Sequence, residues 1–151
     1  MKIFFGKIQL QASLFLIVSL FCCSSIIAAE TLRPDLNGVR VKSPSSVAVY
    51  LIDEGRRRVI ANEGTYNNLF RNWNNIVIDI NVNSIISGPV ISDGAILAKS
   101  HHSVAVYLID NGMKRVIESA SVMDKYQFSW EQIRTVDKIL LDLIPDGASI
   151  Q

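Results

Sequence analysis

An internal repeat constrains this chain more than any other feature of its sequence. Residues 46–53 (Ser-Val-Ala-Val-Tyr-Leu-Ile-Asp) recur unchanged as residues 103–110, 57 positions later. At the same offset residues 58–60 match 115–117, and Trp73 matches Trp130. An identity of this length, with further matches in register, indicates a duplication. We therefore predict two repeat units, over residues 37–93 and 94–151, after a flexible lead over residues 30–36.

Each unit is predicted to contain three strands, a helix and a further strand. Residues 47–52 and 104–109 are apolar runs rich in β-branched side chains, typical of strands covered on both faces. The turn signal Asn111-Gly112 and its weaker counterpart Glu54-Gly55 make each of these runs the first strand of a β-hairpin. The pattern predicts an α+β fold, in which two pseudo-symmetric β-hairpin/helix/strand units form one small domain.

The helix and the ends of the units are less sharply marked. Tyr66, Leu69 and Phe70 have helical spacing, and Thr65 and Ser121 are the predicted helix caps. Residues 129–132 resemble a capping box, which predicts a second helical turn, and residues 134–143 are read as a strand that becomes partly helical. Residues 144–148 echo 91–95, so the chain is predicted to end with the first strand of an unfinished third unit, closing a sheet edge.

The N-terminus has the pattern of a secretory signal peptide. Lys2 and Lys7 precede an uncharged apolar run over residues 12–27, and Ala28-Ala29 follow it. We predict a signal peptide over residues 1–29 and a secreted, periplasmic or cell-surface mature chain, with membrane contact only through the signal segment. An uncleaved anchor and a lipoprotein acylated at Cys22 or Cys23 are the alternatives, although the run is shorter than the ~20 residues of a membrane span.

The mature composition excludes some classes of function. Both cysteines lie in the removed segment, so the mature chain has no disulfide. Loss of Lys2 and Lys7 leaves 13 Lys and Arg against 14 Asp and Glu, a net charge of −1. Such a chain lacks the basic excess of a nucleic-acid binder, and we predict no nucleic-acid partner.

Two recurring features are candidate ligand-binding residues. Basic residues follow the hairpin turn in both units, and Arg can hold phosphate or carboxylate groups of an anionic polymer by paired hydrogen bonds; the alternative is a solvated strand whose charges prevent association. Trp73 and Trp130 are candidate sugar-stacking platforms; the alternative is that each anchors the helix to the hairpin. The full candidate set is Arg56, Arg57, Arg58, Lys114, Arg115, Trp73 and Trp130.

Nothing in the sequence predicts catalysis. The only histidines, His101 and His102, are adjacent in a polar connection, and no spacing indicates a catalytic triad or a metal-ligand set. Asp53 and Asp110 recur beside the hairpin turns, either as ligand-binding carboxylates or as turn-starting residues that bond backbone amides. We predict no catalytic residue, no metal site and no cofactor.

The motif Val-Tyr-Leu-Ile-Asp-Asn-Gly-Met-Lys-Arg over residues 106–115, with Phe128-Ser129-Trp130 and Ile133, resembles a tandem repeat of secreted and surface proteins of bacteria. Unit 1 departs from it, with Glu54 at the turn and Asn72 before Trp73. The resemblance implies an exported accessory or binding module and no chemistry of its own.

From these features we predict a non-enzymatic exported module that binds a cell-envelope or extracellular component. An anionic glycan is the candidate ligand. The alternative is a structural or protein-interaction module, such as an assembly factor or an inhibitor, whose partner is an extracellular protein.

Overall fold

The structure is a computed structural model and describes residues 29–151. The signal peptide predicted over residues 1–29 lies outside the described residues except for its last alanine. Within residues 29–151, no helix has both the length and the apolar character needed to cross a bilayer.

Unit 1 forms a four-stranded mixed sheet in the order β3-β2-β1-β4. The antiparallel pairs β1–β2 and β2–β3 place the apolar β2 inside the sheet, as predicted, and β4 returns parallel to β1 after a helical crossover. The strands are β1 (Arg40–Lys42), β2 (Val49–Asp53), β3 (Arg56–Val59) and β4 (Val77–Ile78).

Unit 2 repeats this topology in the order β7-β6-β5-β8. Its pairs have the same directions, with β5–β6 and β6–β7 antiparallel and β5–β8 parallel. The predicted α+β class with two similar units is thus confirmed. The strands are β5 (Ile96–Ser100), β6 (Val106–Asp110), β7 (Met113–Ile117) and β8 (Arg134–Val136).

Both hairpins close with the same two-residue turn. Glu54 and Gly55 have φ of 52° and 70°, and Asn111 and Gly112 have φ of 51° and 73°. Two consecutive positive φ values define the type I′ turn, whose twist matches that of the flanking strands. The turn is therefore kept in unit 1 even though Glu54 suits positive φ less well than asparagine.

The central strands begin two residues later than predicted. The runs were expected to start at Val47 and Val104, but β2 and β6 start at Val49 and Val106. Val47 and Val104 are both 99% exposed, because they lie in the connection that precedes each of these strands.

The helices begin earlier than predicted, and their caps differ accordingly. Helix α1 (Glu63–Leu69) is capped by Asn62, whose side chain accepts from the amide of Thr65. Helix α2 (Ala120–Lys125) is capped by Ser119, which accepts from Val122. The predicted caps Thr65 and Ser121 lie within the first turns instead.

Of the two helical segments predicted after α2, one is a turn and the other contains a helix. The predicted helical turn at residues 129–132 is a bend and turn, whereas β8 is followed by the short helix α3 (Lys138–Asp142), as the partly helical reading of residues 134–143 predicted.

Each unit covers the edge of its own hairpin. Residues 87–91 lie parallel to β3, where the amide of Gly88 donates to Arg57 O at 2.9 Å. Residues 146–150 lie beside β7 in the same way, with Gly147 donating to Lys114 O at 2.9 Å. The chain end therefore does close a sheet edge, but its counterpart is 87–91, not 91–95, so it is the last segment of unit 2 and not the start of a third unit.

One continuous core joins the units. Leu51, Leu69 and Phe70 of unit 1 belong to the same buried cluster as Leu108 and Phe128 of unit 2. The rings of Phe70 and Phe128 stack at 5.6 Å between centroids, and the amide of Ser129 donates to Leu69 O at 2.8 Å. The apolar faces of both hairpins are thus buried against each other, which fits one domain rather than two.

The predicted flexible lead forms backbone hydrogen bonds with unit 1. The amide of Thr31 donates to Ser84 O, and the amide of Arg33 donates to Gly55 O, each at 2.8 Å. A short 3-10 helix at Pro34–Leu36 follows.

Candidate functional site

The two arginines that recur after the hairpin turns are buried between the units. Arg58 donates through Nη2 to the carboxylate of Asp110, and Arg115 donates through Nη1 to the carboxylate of Asp53. Each unit thus supplies the guanidinium that pairs with the hairpin carboxylate of the other unit. Such reciprocal contacts are those of a twofold-related interface.

Backbone carbonyls fix both guanidinium groups from the closing segments. Arg58 Nε donates to Pro89 O at 2.9 Å, and Arg115 Nε donates to Ala148 O at 2.7 Å. The segment approaches so closely that a Cβ added at Gly147 would lie 2.9 Å from Cγ of Arg115. Glycine is needed there for space.

The two carboxylates have different surroundings. Asp53 accepts from Arg58 at 3.0 Å, from Arg115, and from the hydroxyl of Tyr126 at 3.3 Å. Asp110 accepts from Arg58 and from the amide and hydroxyl of Ser92 at 2.8 and 2.7 Å. Asp53 is therefore the carboxylate on which both arginines converge.

The ionisation of this network follows from burial and pairing. Burial acts to raise the pKa of Asp53, but the guanidinium groups of Arg115 and Arg58 outweigh it and hold that pKa below its ordinary value. Burial, reinforced by the Asp53 charge, raises the pKa of the Tyr126 hydroxyl. Arg115 also donates to the exposed carboxylate of Glu54 at 2.9 Å, so the network joins two guanidinium groups to Asp53, Asp110 and Glu54, beside the Tyr126 phenol.

The other candidate basic residues are only partly available. Lys114 is buried, with Nζ donating to Ile144 O at 2.6 Å and lying 3.1 Å from Asp146. Arg57 donates to Ile85 O at 2.7 Å. Arg56 alone of the candidates has no side-chain hydrogen bond or salt bridge to the described residues, and it lines a pocket of about 350 Å³ above the ion network.

The prediction of a basic surface patch is wrong for Arg58 and Arg115, which are buried. Strand alternation turns both side chains inward, where Asp53 and Asp110 neutralise them. Recurrence of Asp and Arg at matching positions was the signal for this pairing, since a duplicated interface repeats both partners.

Trp73 is held half-exposed by contacts on one side of its ring. Its indole stacks on Tyr66 with centroids 3.8 Å apart and planes 18° apart, and its Nε1 donates to Asn67 Oδ1 at 2.9 Å. The side chain remains 46% exposed. Because Tyr66 covers one face, the exposed part is the opposite face and the free ring edge.

Trp130 occupies the matching position in unit 2 and is also 46% exposed. Its Nε1 donates to Asp124 Oδ1 at 3.3 Å, and Asp124 is the counterpart of Asn67. At the place of Tyr66 unit 2 has Met123, so Trp130 has no aromatic ring beneath it there. Neither tryptophan is the buried anchor that the alternative prediction required.

A groove of about 480 Å³ lies beside Trp73. It runs between the exposed connection before β2 and the start of α1, where the two hairpin strands diverge. Its lining is mainly apolar but includes Glu63, and consists of Val47, Ala48, Val49, Val59, Ile60, Ala61, Asn62, Glu63, Tyr66 and Trp73.

His101 and His102 are exposed in the connection before β6, with ring centroids 6.3 Å apart. Among residues 29–151, no group of three or more His, Cys, Asp or Glu side chains is placed to hold a metal ion.

Comparison with protein-family models, with curated proteins and with solved structures gave no match. The resemblance to a bacterial surface repeat therefore stays a prediction.

Sequence reasoning missed Arg40, which is fully buried behind Trp73. It occupies the β1 position that Leu97 has in β5. The replacement of an apolar residue in one repeat unit by an arginine in the other is the signal that could have pointed to it.

Proposed function

We propose that this chain is an exported, non-enzymatic binding module that holds a pyranose ring of an envelope or extracellular glycan against Trp73. The observation that carries the proposal is the half-exposed indole, immobilised from behind by Tyr66 and Asn67 and bordering a groove. The π face of an aromatic ring carries partial negative charge and attracts the partially positive C–H groups on one face of a sugar.

Exposure of a large aromatic ring is costly unless a ligand covers it. Burial of apolar surface is worth about 25 cal/mol per Å², and a fully covered aromatic side chain buries roughly 200 Å². Both units nevertheless leave the ring 46% exposed. A rigid ring also loses little conformational entropy on binding, which favours affinity.

The surroundings of Trp73 support an uncharged saccharide better than an anionic one. Among the described residues the groove has no cationic lining side chain, whereas Glu63 brings a negative charge. Asn74 and Asn75 directly follow Trp73 in an exposed loop, and their side-chain amides make no hydrogen bond within residues 29–151. Such amides can donate to and accept from sugar hydroxyls.

The proposal is tested by retention of the mature protein on isolated envelope polysaccharide and on the neutral oligosaccharides chitohexaose and cellohexaose. Trp73→Ala should weaken retention more than tenfold, because removal of a central aromatic contact costs about 2 kcal/mol or more. Trp130→Ala is the matched control, since that ring is equally exposed but lacks the aromatic backing. Met113→Ala controls for loss of exposed apolar surface elsewhere.

Retention of folded Trp73→Ala at the level of the parent would contradict the proposal. The proposal would also be contradicted if retention of the parent fell steeply with rising salt and Arg56→Gln were not retained. That result would assign binding to the pocket above the ion network.

A protein-interaction module is the second candidate, and one observation favours it. Val47 and Val104 are both 99% exposed at equivalent positions. Ile78 is also exposed in the edge strand β4, and exposed Ile80 follows two residues later. Exposed apolar groups that cluster mark protein-binding surfaces. If Val47→Asp abolishes capture of an envelope protein while Trp73→Ala and added sugar have no effect, this function replaces the first.

A further inference from the structure

Arg40 connects β1 to the loop that carries Trp73. Its Nη1 donates to Asn72 O at 2.7 Å, and its Nη2 donates to Asn74 O at 2.8 Å. These two carbonyls belong to the residues immediately before and after Trp73. One planar guanidinium therefore fixes the backbone on both sides of the indole.

Tyr66 completes the contact between Arg40 and the indole. Its hydroxyl accepts from Nη1 of Arg40 and donates to Asn72 O at 2.9 Å, while its ring stacks on Trp73. The guanidinium also lies 5.2 Å from the ring centre of Phe70. Arg40 thus orients Trp73 through the loop carbonyls and through the ring on which Trp73 rests.

Unit 2 lacks both parts of this arrangement. Leu97 stands at the position of Arg40, and Met123 stands at the position of Tyr66. Both are buried in the common core. The fold therefore accommodates apolar residues at these positions, and neither Arg40 nor Tyr66 is required by the repeat architecture itself.

The burial of Arg40 is unusual for a purely structural residue. The side chain is 1% exposed, and within residues 29–151 its hydrogen-bond acceptors are two carbonyls and a hydroxyl, with no carboxylate. Burying a cation without a counter-charge carries a desolvation cost, and replacement of buried charges by apolar residues is often neutral or stabilising. Leu97 shows the apolar solution in this same chain.

We infer that Arg40 is the positioning residue of the binding site, and that ligand binding is asymmetric, with the braced Trp73 of unit 1 as the high-affinity platform and Trp130 as a weaker copy. The consequence for binding rests on the proposed function, whereas the ordering of Trp73 does not. Holding the indole in its bound orientation before the ligand arrives reduces the entropy lost on binding.

The test uses the mature chain carrying Trp130→Phe, which leaves Trp73 as its only tryptophan. Arg40→Leu introduces the residue that unit 2 has at this place, and Arg134→Leu is the control for loss of an arginine that does not contact the Trp73 loop carbonyls. Time-resolved fluorescence anisotropy reports motion of the indole, thermal melting reports folding, and retention on chitohexaose reports binding.

The parent and Arg134→Leu should show Trp73 moving only with the whole protein. Arg40→Leu should melt close to the parent but gain a subnanosecond component of indole motion, and its retention should weaken about tenfold, a difference of ~1.4 kcal/mol. A folded Arg40→Leu protein whose indole stays as rigid as in the parent overturns the inference.

Two further outcomes are decisive. If Arg40→Leu does not fold, Tyr66→Phe removes only the hydroxyl that joins Arg40 to Asn72 and should loosen the indole partially; unchanged anisotropy then overturns the inference. If the indole loosens as expected but the parent itself binds no glycan, the positioning role of Arg40 stands and the proposed function fails.

Discussion

Replacement of Asp53 by asparagine is expected to destabilise the protein more than any other change to a single carboxylate. Asp53 is 2% exposed and accepts from Arg58, Arg115 and the Tyr126 hydroxyl. Asparagine keeps the shape of the side chain but removes its charge. Arg58 is then left with Asp110, and Arg115 is left with the exposed Glu54.

The size of the effect follows from the loss of one partner of a buried ion pair, which costs about 3–5 kcal/mol. A domain of this length loses roughly 3–5 °C in melting temperature per kcal/mol. We therefore expect Asp53→Asn to melt about 10–20 °C below the parent at neutral pH, measured by circular dichroism. Asp110→Asn should lower the melting temperature less, because the amide and hydroxyl of Ser92 can still donate to the side-chain oxygen at position 110.

The same variant gives a pH dependence of known sign. The pKa of Asp53 is below its ordinary value of 3.8 in the folded protein. Its ionised form therefore stabilises the fold fully above that ordinary value, and this stabilisation is lost as the pH falls through the lower folded-state pKa. The gap in melting temperature between parent and Asp53→Asn should be constant from neutral pH to about pH 5 and should narrow on further acidification.

The exposed ion pair of Lys138 and Asp142 supplies the control. Both side chains are largely exposed, so solvent screens the pair and Asp142→Asn should leave the melting temperature nearly unchanged. If Asp53→Asn melts within about 3 °C of the parent, or behaves like Asp142→Asn, the ion network does not hold the units together as described.

Three further predictions concern the core, the closing segment and export. Val106→Asp should cost several kcal/mol because Val106 is buried, whereas Val104→Asp, two residues earlier and fully exposed, should change the melting temperature by no more than a degree or two; equal melting of the two variants would contradict the placement of β6. Gly147→Ala should destabilise by about 1–3 kcal/mol in urea unfolding, since the new Cβ would lie 2.9 Å from Arg115 Cγ, and an unchanged urea midpoint would refute that close approach. The intact mass of the secreted protein should correspond to a chain that starts near Glu30, and a product that retains Met1 would refute cleavage.

The fold could be predicted from the sequence because its signals are local and occur twice. The apolar runs, the two-residue turns and the helical spacing recur at one offset, so errors at element ends did not change the order of elements. The starts of β2 and β6 were missed because Val47 and Val104 are apolar and β-branched, yet they precede the first paired residue of each strand. Propensity does not report where backbone pairing ends.

The site was only partly predictable, because its key contacts are long-range. Arg58 reaches Asp110 and Arg115 reaches Asp53 across the two units, and sequence spacing does not reveal such pairing. The sequence left the exposure of Trp73 open for a related reason, since a ring of that size is also expected in the core. Its position depends on Arg40, 33 residues earlier in the chain and on another element.

The most direct test of the central claim is a titration of the mature protein with chitohexaose and with fragments of the envelope polysaccharide, followed by the two indole N–H resonances in ¹H–¹⁵N spectra. Trp130→Phe assigns the resonance of Trp73, since the chain has two tryptophans. The account predicts a saturable shift of the Trp73 resonance at ligand concentrations that leave Trp130 unchanged. Saturable binding that shifts neither indole resonance would contradict it. So would binding that shifts the Trp73 and Trp130 resonances equally, in the parent as in Arg40→Leu.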